Sequence, residues 1–339
     1  MTPPQTIADL RTLMNSLPAG DAAARTAAAA RQDQLVKPAG SLGRLEEVAI
    51  HLAHWQGAEK PALDKVTITI FAGSHGMTKH GVSAFPDEVN AQMFGGFQAG
   101  MAAICQLADA FGAPLAAIDC GIDHPTADFT EAPAMTEPEF LAAIAQGFDA
   151  ISGDEDLVIF GEMGIGNTTA AAAVSAAMLG GEAADWVGAG TGVDAQGLKR
   201  KVDVVARGLA RHAPRVAEPV EALRRLGGRE MAAIFGACLA ARLKSVPVLL
   251  DGFIVTASVA ALGLAAEDGL AHCIAGHASE EPGHRRLLDR LHLDPLLRLN
   301  MRLGEGSGAA TALGVVKAAV ACHSGMATFA EAAVAGKNA

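Results

Sequence analysis

Six short apolar runs in this chain lack the polar alternation of a half-exposed strand, and this limits its possible folds more than any other feature. The runs are Val66–Ala72, Leu115–Asp119, 157–161, 186–189, 246–250 and 270–275. Glycines follow each run, and longer stretches with helical spacing, most of them alanine-rich, fill 88–111, 168–179, 196–211, Arg229–Leu243 and 254–266. A strand that is apolar on both faces must be covered on both, and strands separated by helices pair in parallel. The expected fold class is therefore α/β, with a doubly wound, mainly parallel sheet. In such sheets ligands bind at the carboxyl ends of the strands. The glycine clusters fall there, at Gly73-Ser74-His75-Gly76, 161–166, 188–192 and Asp251-Gly252.

The two ends of the chain have a different texture. Residues 1–60 read as helical, with Ala22–Gln34 alanine-rich and 42–55 amphipathic through Leu45, Val48, Ala49 and Leu52. Ser41 is placed to cap the second of these, after the break at Pro38-Ala39-Gly40. From about 295 the chain returns to helix, over 308–322 and 326–334. At 339 residues with 50% hydrophobic content, the chain can bury a large core in one domain with an appendage, or in two domains. Its net charge of −11 offers no basic field for nucleic acid or an anionic membrane. No run is long and apolar enough to span a bilayer, and Met1-Thr2-Pro3-Pro4 does not read as a signal peptide. The expected setting is the cytoplasm. Five scattered cysteines without a C-x-x-C pair argue against a disulfide framework or a cysteine zinc site.

Four loops have residues that can do chemistry. Gly161-Glu162-Met163-Gly164-Ile165-Gly166-Asn167-Thr168-Thr169 follows a strand and opens a helix, where free amides and the helix dipole favour an anion. It matches neither G-x-x-x-x-G-K-[ST] nor G-x-G-x-x-G. It is either a phosphate cradle or a tight strand–helix turn capped by Asn167 or Thr168. Gly188-Ala189-Gly190-Thr191-Gly192 also misses the dinucleotide fingerprint, and the basic cluster after it, including Lys201, is either a phosphate contact or a solvated helix face. The block 276–284 holds two His and two Glu, but it lacks the H-E-x-x-H spacing and is broken by Pro282-Gly283, so no metal is expected. In Met301-Arg302-Leu303-Gly304-Glu305-Gly306-Ser307-Gly308 a single carboxylate sits between glycines before a helix. Glu305 is there either a base held on exposed, turned backbone or a residue favoured by the helix dipole. An NAD-dependent dehydrogenase and a non-catalytic nucleotide-binding subunit share this architecture and remain open on these motifs.

Taken together, several blocks carry a specific resemblance. They are Lys37-Pro38-Ala39-Gly40-Ser41-Leu42-Gly43-Arg44-Leu45-Glu46, the His75 block, Gly81-Val82-Ser83-Ala84-Phe85-Pro86, 161–169, Lys201-Val202-Asp203-Val204-Val205, Pro247-Val248-Leu249-Leu250-Asp251-Gly252-Phe253 and 301–310. In this order they resemble the nicotinate-nucleotide–dimethylbenzimidazole phosphoribosyltransferase family. The resemblance implies transfer of phosphoribosyl from nicotinate mononucleotide to dimethylbenzimidazole, without a cofactor. It also implies a homodimer, a Rossmann-like large domain at 61–295, and a small helical domain from 1–60 plus 296–339. By the same resemblance Glu305 is the general base, and Ser83, Phe85, Gln92 and Leu303 hold the acceptor base. Glu162, Gly164, Gly166, Asn167, Thr168, Lys201 and Ser279 hold the nucleotide. At Ser74 the chain departs from the family pattern, which has Asp before the His, and the arrangement of that loop is open.

Overall fold

The computed structural model describes residues 1–335. Three helices come first: α1 (Ile7–Met14), α2 (Ala22–Gln34) and α3 (Arg44–Gln56). Then β1 (Val66–Ala72), α4 (Val89–Gln98), α5 (Ala103–Phe111), β2 (Leu115–Asp119), α6 (Glu137–Asp149) and β3 (Leu157–Met163) alternate. Four helices follow in succession: α7 (Asn167–Leu179), α8 (Ala195–His212), α9 (Pro219–Leu226) and α10 (Arg229–Leu243). The chain then runs through β4 (Val248–Leu250), α11 (Phe253–Ala265), β5 (Cys273–Ala275), α12 (Pro282–Arg290) and α13 (Ser307–Gly325).

The five strands form one parallel sheet in the order β2-β1-β3-β4-β5. Both faces are apolar, as the missing alternation requires. Ile68, Ile70, Ile159, Leu249 and Ile274 point to a core shared with α3, α5 and α13. Phe71, Val158, Phe160, Val248 and Leu250 point to the opposite core, filled by α6, α7, α9, α10 and α11. The expected α/β class and parallel sheet are the ones observed.

Several expected elements differ. The run at 186–189 is not a strand. Trp186 ends a short turn, is fully buried, and donates its indole N–H to the Gly180 carbonyl at 2.9 Å. An apolar run is a strand only if a partner strand lies beside it, and here α7 leads on to α8 without a return to the sheet. The expected helix 88–111 is two helices, because Gly100 turns the chain at φ +71°. The expected helix at 326–334 is instead a segment bridging Leu35 to Thr328. Ser41 does not cap α3, which starts at Gly43 without a side-chain cap. The Glu46 carboxylate takes the Leu42 N–H and the Lys37 ammonium instead. Finally, β3 runs two residues past 161, so Glu162 stands on the strand and not in the loop.

Candidate active site

The carboxyl ends of β3, β4 and β5, with Phe85 from the segment after β1, surround a cavity of about 330 Å³, a size suited to small molecules. Each strand end supplies a different part. At β1, Ser74 donates to the Ile122 carbonyl at 2.6 Å and accepts from Asn90 Nδ2 at 2.8 Å. The other end of Asn90 accepts the Ile165 N–H at 2.8 Å. Ser74 thus holds its loop with a donated bond that an ionised Asp cannot make. His75 lies behind the cavity, buried with its Nε2 2.8 Å from Glu230 Oε1.

At the end of β3, Glu162 is buried and bonded by Asn167 Nδ2. Burial raises its pKa well above the ordinary carboxyl value, and the charges of Asp251, Glu230 and Glu305 add to this against the Asn167 bond. Gly166, at φ +88°, opens α7 without a side-chain cap; the Asn167 and Thr169 N–H groups turn back onto the Gly164 and Gly166 carbonyls, and Asn167 and Thr168 of this first turn line the cavity. Behind this wall Lys201 is 1% exposed and donates to Thr168 Oγ1 at 2.9 Å and the Gly188 carbonyl at 2.8 Å. Burial lowers its pKa to about 8 despite the charge of Glu281.

The floor is the segment before α13. Gly304, Glu305 and Gly306 stand in succession at φ +86°, +63° and +85°. The left-handed region is open to glycine and costs a glutamate about 1 kcal/mol. Gly161 of β3 has no side chain because the Glu305 carbonyl occupies the place of its Cβ. The Glu305 side chain is 7% exposed, and its Oε2 has no hydrogen-bond partner. Desolvation raises its pKa, opposed by the Ile104 N–H and reinforced by the charge of Asp251. The cavity lining includes the apolar Phe85, Val89, Met93 and Leu303. It also includes the polar Thr168, Ser279, Glu281 and Arg302.

Comparison with known proteins identifies this arrangement. Residues 17–334 match a family model described as phosphoribosyltransferase. A protein of Mesorhizobium japonicum called nicotinate-nucleotide–dimethylbenzimidazole phosphoribosyltransferase is 56% identical over 335 residues, covering 99% of this chain and 100% of that protein. One of the same name from Novosphingobium aromaticivorans is 56% identical over 329 residues, 97% of each chain. The crystal structure of CobT from Thermus thermophilus superposes with a TM-score of 0.87 at 42% identity, covering 93% of this chain and 100% of that one. The chain belongs to the nicotinate-nucleotide–dimethylbenzimidazole phosphoribosyltransferase family.

Within this family member the structure gathers most of the residues named from the sequence. Glu305, Phe85, Leu303, Glu162, Gly164, Asn167, Thr168 and Ser279 line the cavity. Ser83 and Gln92 do not. Ser83 turns its Oγ to the Phe85 N–H at 3.1 Å, and Gln92 is exposed on α4, which presents Val89 and Met93 to the cavity. Gly166 and Lys201 stand behind the lining. Sequence reasoning missed the roles of Asp251, His277, Glu281 and Arg302, all of which line the cavity. Asp251 was legible as the polar residue ending an apolar strand.

Among the described residues, Cys238, His272 and Cys273 place three possible metal donors within 4.8 Å of one another. Cys273 Sγ lies 3.7 Å from both ring nitrogens of His272. In the ring plane those distances would collide with ring carbons, so the sulfur sits over the imidazole face. Nε2 lies 3.1 Å from the Cys238 carbonyl. The three donors are packed on one another and not aimed at a common point.

Proposed function

We propose that the protein transfers the phosphoribosyl group of nicotinate mononucleotide to dimethylbenzimidazole, giving α-ribazole 5′-phosphate and nicotinate. The observation that carries this reading is Glu305, a buried carboxyl with a free oxygen in a cavity lined by apolar side chains and by the first turn of α7. The sequence relatives and solved structures support it.

The chemistry fits one base. The donor leaves as a neutral pyridine from a cationic N-glycosyl pyridinium, so its departure needs no proton. The acceptor attacks the ribose carbon through one ring nitrogen, and the proton on the other then becomes acidic and must be taken. Glu305 takes that proton. Desolvation makes its carboxylate a stronger base than a solvated one. A glycosidase requires a second carboxyl because an alkoxide leaves; here Glu162 plays no acid role. Burial holds Glu162 toward its protonated form, so its carboxyl serves as a neutral hydrogen-bonding group beside the nucleotide. Inversion from β-nucleotide to α-product requires the two rings on opposite faces of the ribose, and holding them there supplies much of the rate.

Phe85, Val89, Met93 and Leu303 form the flat apolar slot for the acceptor, with Ser83 and Gln92 at its edge. Gly164, Gly166, Asn167 and Thr168 hold the ribose phosphate at the N-terminus of α7. Lys201 and Ser279 complete the anion site, and the buried, unpartnered Oγ of Ser279 supports that role. No step uses a metal or cofactor. We further propose that the protein works as a cytoplasmic homodimer. We also propose that residues 1–60 and 296–339 form a small helical domain against a large one at 61–295. Light scattering at micromolar concentration tests the dimer.

The reaction itself is tested by chromatography of nicotinate mononucleotide incubated with a panel of benzimidazoles, purines and phenols. Nicotinate release with a benzimidazole is the expected result. Glu305→Gln should lower kcat by about 10²–10⁴-fold while both substrates still bind in calorimetry. A near-normal kcat in that variant removes Glu305 from the mechanism.

A further inference from the structure

Asp251 lies outside the residues named for either substrate, yet both of its carboxylate oxygens are bonded beneath the cavity. It leaves the end of β4 and is 2% exposed. Its Oδ2 accepts the Gly306 N–H at 3.2 Å, and its Oδ1 accepts the Ala309 N–H at 2.9 Å. His277 Nε2 approaches the same Oδ1 at 3.4 Å. Those two amides are free N–H groups at the start of α13, whose N-cap Gly306 has no side chain to satisfy them. The helix is capped by a carboxylate from a distant strand of the sheet.

The capped amides lie on the C-terminal side of Glu305. A glutamate does not adopt φ +63° between two left-handed glycines unless its surroundings leave it no other choice. Gly161 presses on this turn from β3, where its Cα lies 3.2 Å from the place of a Gly306 Cβ. Asp251 pulls on it from β4. Gly308, one residue before the second capped amide, has no side chain because the His277 ring occupies that space, so the imidazole is wedged between Asp251 and α13. Every part of this arrangement fixes backbone within a few residues of Glu305.

We propose that Asp251, backed by His277, is the positioning residue for Glu305, holding the left-handed 304–306 turn and setting the electric field in which the Glu305 carboxyl takes its proton. This rests on the reading of Glu305 as the general base. The titratable and charged groups around Glu305 come from four segments. Asp251 comes from β4 and Glu162 from β3, while His277 and Glu281 follow β5. Arg302, on its own segment, is turned onto the Gly190 carbonyl at 3.0 Å. Among the lining residues α4 brings only the apolar Val89 and Met93. Asp251 thus stands as a fixed anion beside the base, and it makes Glu305 hold a proton more tightly.

The test compares wild type, Asp251→Asn and Glu305→Gln by two measurements. One is the pH profile of kcat/KM for dimethylbenzimidazole at saturating nicotinate mononucleotide. The other is hydrogen exchange of the Gly306 and Ala309 amides without ligand. Asp251→Asn removes like charge from Glu305, so the acid limb should move to lower pH. An amide also cannot accept from both N–H groups, so exchange at Gly306 and Ala309 should accelerate and kcat should fall about 10²-fold. Glu305→Gln should lose the acid limb and keep the slow exchange. An acid limb unmoved in Asp251→Asn, or amides protected as in wild type, overturns the proposal. A purely structural role would lower kcat without moving the limb. If Asp251→Asn does not fold, Asp251→Glu decides the matter. The charge is kept and the acid limb should stay, while the longer side chain displaces the turn and kcat falls; wild-type kcat there overturns the proposal. Absence of any transfer by wild type would refute the proposed reaction alone, since the exchange comparison still reports on the turn.

Discussion

Glu305 combines two costs that a residue without a function would not retain, a left-handed backbone and a desolvated carboxyl. Its pKa is raised in the folded state, so ionisation near neutral pH works against folding. The contribution is favourable below the unfolded carboxyl pKa and is lost as pH rises through the folded one. Glu305→Gln should therefore raise Tm at pH 7 by about 1–3 °C and have no effect near pH 4, measured by calorimetry. A Tm lowered equally at both values would show that the carboxyl is structural. Lys201 carries the opposite sign. With its pKa lowered to about 8 by burial, it is charged below that value and neutral above it. KM for nicotinate mononucleotide should rise above about pH 8, a limb that Lys201→Met should abolish along with most affinity for the donor. At this scale the sequence was informative where one loop holds its own chemistry, as at Gly304-Glu305-Gly306 and Asn167-Thr168. It was silent about Asp251 with α13, or His75 with Glu230, because those pairs are joined only by folding.

At the scale of elements the strands were the legible part. Both faces of β1, β3 and β4 are covered, so their sequences are apolar throughout and betray their position. The helices were less so, because a helix break or an extra helix depends on single glycines and on whether the chain returns to the sheet. Gly100 splits α4 from α5, and 186–189 has a strand's composition without a strand's neighbour. The contact of α6 with α10 was invisible in the sequence. Gly147 faces the Ala233 carbonyl and Gly236 the Ile144 carbonyl so closely that neither position has room for a methyl group. Because backbone, not a flexible side chain, occupies the space, Gly236→Ala should cost about 1–3 kcal/mol in urea unfolding, although alanine is the better helix former. A variant as stable as wild type would mean that these helices can slide apart freely.

At the scale of the molecule the two ends of the chain meet. Arg31 of α2 is buried and donates to the carbonyls of His323 and Met326, each at 2.9 Å. Gln32 Nε2 lies 2.8 Å from His323 Nδ1, and Leu35 bridges to Thr328. Arg31→Ala leaves two carbonyls unpaired and should cost about 1–3 kcal/mol, with proteolysis entering first at the ends. If the termini form their own domain, calorimetry should resolve a separate transition that this variant lowers. Yet α13 also contributes Leu313 and Val316 to the core against the sheet, so the same helix serves the tie and the active-site floor. Among the described residues no helix is long and apolar enough to cross a membrane.

By itself the sequence determined the α/β class, the parallel sheet, the strand ends where the cavity lies and the glycine-framed carboxylate within it. Each of these follows from local pattern: apolar strands need two covers, and glycine permits turns and close approach that no other residue does. Only the tertiary structure decided which apolar runs pair, how Ser74 holds its loop through Asn90, and that Asp251 caps the helix behind Glu305. Those outcomes depend on groups brought together from distant parts of the chain, where burial sets both the geometry of a carboxyl and its affinity for a proton.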